Sequence, residues 1–141
     1  MNKKIIFTNG CFDILHVGHL RYLQASKNLV PEAKLIVGLN SDSSVKALKG
    51  DSRPINNQED RAELLMALEP VDEVIIFDEM NALKVLEKVK PDIYTKGADY
   101  DLEDYTKCPE FKFCHDNNTE VNLIKLEDGY STSNTIVKME S

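Results

Sequence analysis

The segment Gly10-Cys11-Phe12-Asp13-Ile14-Leu15-His16-Val17-Gly18-His19 sets two histidines three residues apart, directly behind the apolar run Ile5-Ile6-Phe7. At that point a strand would hand over to a helix. Residues three apart in a first helical turn face the same way, and the turn adds unpaired backbone N–H groups and the positive end of the helix dipole. Such a place binds anions, and a nucleoside triphosphate would fit it. Gly18 lets the backbone come close to a phosphate. The candidate nucleotide contacts are Thr8, Asn9, Gly10, Cys11, Phe12 and Gly18, with His16 and His19 as the catalytic pair and Asp13 as a contact to a second substrate.

If that second substrate carries a phosphate monoester, in-line attack on the α-phosphorus expels pyrophosphate. The attacking oxygen is already ionised near neutrality, because a monoester's second pKa is roughly 6, so no protein base is required. Positioning and charge neutralisation remain, through aligned donors, lysines, arginines and the Mg²⁺ that accompanies the triphosphate. His16 and His19 would donate to the α- and β-phosphates. Lys46 or Lys49, together with Arg61, would bridge the phosphates, and Arg61 would also reach the acceptor. Lys46, Lys49, Arg53, Arg61 and Lys96 form a local cationic cluster if the fold gathers them.

Three further segments bear on the same chemistry. In Glu127-Asp128-Gly129-Tyr130-Ser131-Thr132-Ser133-Asn134 a glycine turn precedes hydroxyl residues at a helix start; Gly129, Ser131 and Thr132 either hold a phosphate or simply cap that helix. Lys96 would face the nucleotide, Gly97 would let a base stack on the backbone, and Asp99 would contact the ribose or make a turn. Asn40 and Asp42 would contact a polyol acceptor or cap the helix that follows.

These residues need a scaffold that collects them. Apolar runs at Lys4 to Thr8, Lys34 to Leu39, Glu73 to Phe77, Asp92 to Thr95 and Val121 to Ile124 predict five short strands. Helices are predicted between them over Gly18 to Leu29, Gln58 to Leu68 and Ala82 to Lys90, and finally over Ser133 to Met139. Asn56 or Asn57 caps the second of these, and Glu59 and Asp60 favour its N-terminus. The alternation predicts an α/β fold: a single Rossmann-like domain, a five-stranded parallel sheet with helices on both faces, and ligands at the carboxyl ends of the strands. From Gly97 to about Thr119 no period is evident, which suits a lid or a partly helical insertion.

A chain of 141 residues suits one domain spanning 1–141, and 42% hydrophobic with 29% charged residues argues against disorder and against a membrane span. The apolar stretch behind Lys3-Lys4 stops at Asn9-Gly10, too short for a secretion signal, so the cytoplasm is expected. The formal net charge of −7 disfavours nucleic acid, whereas a small anion needs only local cations. Cys11, Cys108 and Cys114 fit no disulfide framework, and the last two with His115 match no zinc spacing, so no metal site is expected. Cys11 reads as a small buried hydrophobe rather than a nucleophile.

With these residues in hand, the chain resembles the cytidylyltransferase-like nucleotidyltransferase family over nearly its whole length. The family's His-x-Gly-His corresponds to His16 and His19, and its second signature to Gly129-Tyr130-Ser131-Thr132-Ser133. Phe7 to His16, Asn40-Ser41-Asp42, Arg53-Pro54-Ile55-Asn56, Glu59-Asp60-Arg61 and Lys96-Gly97-Ala98-Asp99-Tyr100 resemble the branch that makes ADP-heptose from heptose 1-phosphate. The resemblance implies Mg²⁺-dependent transfer from ATP, a homodimer with an interface over Glu69 to Ile76, and a stand-alone transferase served by a separate sugar kinase. Two other readings compete: a glycerol-3-phosphate cytidylyltransferase, and a non-catalytic nucleotide-binding regulator. Against the first, Leu126 and Glu69 stand where that branch carries arginines; separately, Tyr94 and Thr95 replace the more apolar residues usual before Lys96-Gly97, a departure that bears on which base is preferred.

Overall fold

The computed structural model describes residues 3–98 and 108–125. Its elements run β1 (Ile5–Gly10), α1 (Val17–Lys27), β2 (Lys34–Asn40), α2 (Asp42–Lys49), α3 (Gln58–Met66), β3 (Glu73–Phe77), α4 (Leu83–Val89), β4 (Ile93–Gly97), α5 (Pro109–Asp116) and β5 (Glu120–Ile124). All five strands are parallel, in the order β3-β2-β1-β4-β5. The predicted architecture is borne out. Since the chain steps outward from β1 to β2 and β3 and then returns to β4 on the other side, the crossovers diverge between β1 and β4. A crevice opens there at the strands' carboxyl ends.

Alternation along β1 explains the two cores. Ile6 joins Leu23 of α1, Leu35, Val37 and Leu39 of β2, and Leu65 of α3 on one face. Phe7 joins Ile36, Phe77, Val85, Leu86, Tyr94 and Phe111 on the other, under α4 and α5. β2, central and covered on both sides, is buried from Leu35 to Asn40. On the α1 face a hydroxyl chain crosses the apolar core: Thr8 Oγ1 lies 2.9 Å from Tyr22 Oη and donates to the Thr95 carbonyl, while Thr95 Oγ1 meets Ser26 Oγ at 3.0 Å. It ties α1 to β1 and β4.

Two helices fill places where the sequence allows a helix without giving its bounds: the one that Asn40 or Asp42 would cap, and part of the stretch from Gly97 to Thr119. α2 has only eight residues, opening on Asp-Ser-Ser, and is carried by its ends: the Ser41 hydroxyl accepts from Ser44 N, Asp42 lies in the first turn, and Lys46 and Lys49 in the last. α5 starts on Pro109 and buries Glu110, Phe111 and Cys114 within the stretch that showed no period. The predicted helix over Ser133 to Met139 lies outside the described residues. Strand ends also run further than predicted, for β1 reaches Gly10 and β4 reaches Gly97, carrying ladder pairing up to the crevice.

Gly38, in the middle of β2, sits so close to the Phe7 ring that an added Cβ would lie 2.6 Å from its Cζ. Gly38→Ala is expected to destabilise the fold by about 2 kcal/mol through overpacking, read from urea unfolding. An unchanged midpoint would show that the Phe7 ring moves freely.

Candidate active site

α1 begins with imidazoles doing the work that hydroxyls and carboxylates usually do. His16 is the N-cap in extended backbone, its Nδ1 accepting from Gly18 N at 2.9 Å, while His19 Nδ1 accepts from the backbone N–H of His16 at 3.2 Å. Each satisfies a donor that a helix start leaves unpaired. An Nδ1 that accepts cannot carry a proton, so each neutral ring must hold its hydrogen on Nε2. The two rings lie 3.9 Å apart at 40°, and Phe12 meets the His19 ring edge-on. His16 Nε2 is buried and has no partner among the described residues. Such an orphaned donor calls for an acceptor beyond the described residues.

The environment keeps both rings uncharged. Burial lowers the His16 pKa below its usual value. His19 is pushed down to about 4, by burial first and then by His16 and the Lys49 ammonium. Around Cys11, five residues before His16, the charges of Lys49, Arg61, Lys96 and Arg53 all pull the thiol's pKa down, yet burial outweighs them and raises it. Cys11 is therefore a neutral thiol, and four of the five anticipated cations converge on its loop.

Two of those cations hold the loop itself. Arg61, entirely buried, donates from Nε to Asn56 O, from Nη1 to Cys11 O and Asn40 O, and from Nη2 to Asp42 Oδ1, all within 2.8 to 2.9 Å. Arg53 donates from Nε to Asp13 Oδ2 at 2.9 Å and from Nη2 to Asp13 O at 2.7 Å. The Asp13 carboxylate, with no exposed surface, also accepts from Ile55 N and Asn56 N at 2.6 and 2.9 Å. Burial would raise its pKa, but the N–H groups of Asn56 and Ile55 and the Arg53 guanidinium overcome this and lower it. The turn that delivers His16 to the tip of α1 is thus pinned from β2, α2 and the segment before α3.

A family model described as cytidylyltransferase-like matches residues 7–139. The chain belongs to the cytidylyltransferase-like family. It is 49% identical over 140 residues to the bifunctional protein HldE of Aliarcobacter butzleri (strain RM4018), covering 99% of this chain and 28% of that protein. To the bifunctional protein HldE of Helicobacter pylori (strain ATCC 700392 / 26695) it is 51% identical over 138 residues, 98% of this chain and 28% of that one. The chain spans little more than a quarter of the length of these relatives. The crystal structure of a lipopolysaccharide core biosynthesis protein from Thermoplasma volcanium GSS1 matches with a TM-score of 0.68 at 28% identity, covering 89% of this chain and 98% of that one.

In this cytidylyltransferase-like chain several anticipated contacts take other roles. Arg61 was expected to bridge phosphates and reach the acceptor; instead four of its five N–H groups donate to the protein. Asp13, expected at the acceptor, is enclosed by Arg53 and two backbone amides. Asn40, expected there too, is buried, with Nδ2 donating to Ser44 Oγ at 2.8 Å and its carbonyl held by Arg61. Asp42 pairs with Arg61, and Ser41 rather than either of them caps α2. Thr8 places its hydroxyl under α1, away from the crevice. A polar residue beside a phosphate loop looks the same in sequence whether its partner is substrate or protein, and for Asn40 and Asp42 the sequence leaves acceptor contact and helix capping both open.

Other anticipated residues do meet at the crevice. Asn9 and Gly10 end β1, Lys96 and Gly97 end β4, and Lys96 Nζ donates to Asn9 O at 3.1 Å. Gly18 is buried in the first turn of α1. Lys46 and Lys49 are both exposed on α2, and Lys49 is the one whose charge is felt at Cys11 and at His19. Asp99, Gly129, Ser131 and Thr132 lie outside the described residues. The structural part of Arg53 is not legible from its place in Arg53-Pro54-Ile55-Asn56; Tyr94, legible only as a departure from the apolar residue usual before Lys96-Gly97, donates its hydroxyl to Asn9 Oδ1. Alternation with Lys96 was the available signal.

No group of three or more His, Cys, Asp and Glu side chains that could hold a metal occurs among the described residues. No helix among them is long and apolar enough to cross a membrane.

Two outcomes follow. Asp13→Ala removes the buried carboxylate that Arg53 Nε, Ile55 N and Asn56 N share and is expected to cost about 3 kcal/mol or more in urea unfolding; a loss no larger than that of an exposed substitution would contradict the clamp. The folded pKa of His19 near 4 lies below the usual 6.5, so as pH falls the unfolded chain takes up the proton first. His19 thus adds stability that is complete above pH 6.5 and is lost between 6.5 and 4. Unfolding midpoints across that range should fall more steeply for the wild type than for His19→Gln, and parallel curves would refute the assignment.

Proposed function

We propose that the chain is a nucleotidyltransferase that moves AMP from ATP to a heptose 1-phosphate and releases pyrophosphate. One observation carries the reading: paired imidazoles cap α1 through Nδ1, which leaves the hydrogen of each ring on Nε2, and the His16 donor is buried with nothing described to receive it. Family membership and the HldE likeness support the reaction class and the heptose branch.

The sugar phosphate's ionised oxygen attacks the α-phosphorus in line, forming a new O–P bond as the bond from the α-phosphorus to the bridging oxygen breaks. Pyrophosphate leaves with the electron pair. Mg²⁺ enters with the triphosphate as part of the substrate and neutralises phosphate charge. His16 and His19 act as fixed neutral donors, whose hydrogen bonds strengthen as charge moves toward the leaving group and which need no reorganisation when it does. Neutral rings can also lie 3.9 Å apart without the repulsion two imidazolium ions would feel. Lys49 adds positive charge from α2, and Lys96 from β4.

The same reading includes a homodimer, a cytoplasmic setting and a kinase activity that supplies the sugar 1-phosphate. Support for the homodimer lies in edge strand β3, where Ile76 is exposed and the adjoining α3 exposes Leu64 and Met66.

Pyrophosphate release should be fastest with ATP and heptose 1-phosphate among ATP or CTP paired with heptose 1-phosphate or glycerol 3-phosphate. His16→Ala is expected to lower kcat by about a hundredfold or more, as loss of a preorganised donor does elsewhere. Turnover that survives this change nearly intact, or tight nucleotide binding without turnover on any pair, would overturn the proposal.

A further inference from the structure

We infer that Tyr94 is a positioning residue for the nucleotide, its buried hydroxyl holding the Asn9 side-chain amide so that the NH2 group faces the crevice between β1 and β4. The inference rests on the reading of that crevice as a triphosphate site. Phe7 and Tyr94 are register partners on neighbouring strands, and their rings stack with centroids 6.0 Å apart at 18°, so they share a face of the sheet. Two residues further along each strand, Asn9 and Lys96 lie on that same face at the carboxyl ends.

Tyr94 is entirely buried between Phe7 and Phe111, and its hydroxyl donates to Asn9 Oδ1. Burial, followed by the nearby Glu110 and Cys108, pushes its pKa well above the usual range, which keeps the phenol protonated and able to donate. An amide is planar, with its oxygen and its NH2 on opposite sides of one carbon, so fixing the oxygen toward Tyr94 fixes the NH2 away from it. Among the described residues the Asn9 side chain makes no other hydrogen bond. Asn9 is partly exposed, and the Lys96 ammonium is bound to its own carbonyl at 3.1 Å. An amide N–H held in one direction beside an ammonium, in the positive field that Lys49, Arg61, Lys96 and Arg53 set up at Cys11, suits a phosphate oxygen.

The sequence makes the same point from the other side. A parallel strand buried on both faces needs only an apolar side chain at this position, and a phenol there must find its hydroxyl a partner. Tyr94 finds it at the one polar side chain that ends β1.

The test is a double-mutant cycle on ATP affinity, measured by calorimetry on the wild type, Asn9→Ala, Tyr94→Phe and the double variant, with thermal melts recorded alongside. Asn9→Ala should weaken binding about tenfold, and Tyr94→Phe, which keeps the ring and frees the amide, about threefold. In the Asn9→Ala background Tyr94→Phe should change affinity no further, because the amide it acts through is gone. An unchanged Kd in either single variant overturns the inference. So do losses that multiply in the double variant, since those mark Tyr94 as core packing alone. A wild type that binds neither ATP nor CTP overturns the triphosphate reading as well, and that result is visible before any variant is compared.

Discussion

The structure depends on two ring nitrogens accepting backbone hydrogens at the start of α1. Because His16 Nδ1 and His19 Nδ1 take the N–H groups of Gly18 and His16, helix capping and the protonation state of the site become one constraint. A ring that lost its Nδ1 lone pair to a second proton would forfeit the cap and set its own N–H against a backbone N–H. Burial adds to this, taking His19 far from its ordinary titration range. What remains for a ligand is a pair of uncharged donors on a rigid helix tip, joined to the peptide N–H groups and the dipole that lie behind them.

The tip must also be aimed, and this is where the buried charges act. Arg61 gathers the carbonyls of Cys11, Asn40 and Asn56 around one guanidinium, so the ends of β1 and β2 and the start of α3 move as a unit. Arg53 and Asp13 fasten the other side of the same turn. A guanidinium suits this task better than an ammonium because its planar fork reaches several acceptors at fixed angles. The cationic field felt at Cys11 then has two parts: Arg53 and Arg61, whose bonds hold the loop, and Lys49 and Lys96, which sit at its rim.

Local signals made the fold legible. Apolar runs such as Lys34 to Leu39 and Glu73 to Phe77, spaced by helical patterns, place five parallel strands because strand burial and helix length are written in neighbouring residues. His16 and His19 were legible for the same reason, since their chemistry depends on a spacing of three. The protein partners of Asp13, Asn40, Thr8 and Arg61 were not legible because they are distant in the chain: Arg53 lies 40 residues from Asp13, and Cys11 lies 50 from Arg61. Nothing in one sequence says whether such a partner is substrate or protein. The bounds of α5, within a stretch legible only as a lid or a partly helical insertion, were not readable because its eight residues are held mainly by tertiary burial of Phe111 and Cys114 rather than by a long amphipathic stripe. Gly129, Ser131 and Thr132 lie beyond the described residues.

The central claim concerns where two protons sit, and nitrogen-15 NMR of the imidazoles reads that directly. At neutral pH both rings should show a protonated Nε2 and a lone pair on Nδ1, and addition of ATP should move the Nε2 resonances while Nδ1 stays nearly unchanged. Rings that are charged at neutral pH, or that carry the proton on Nδ1, would contradict the account.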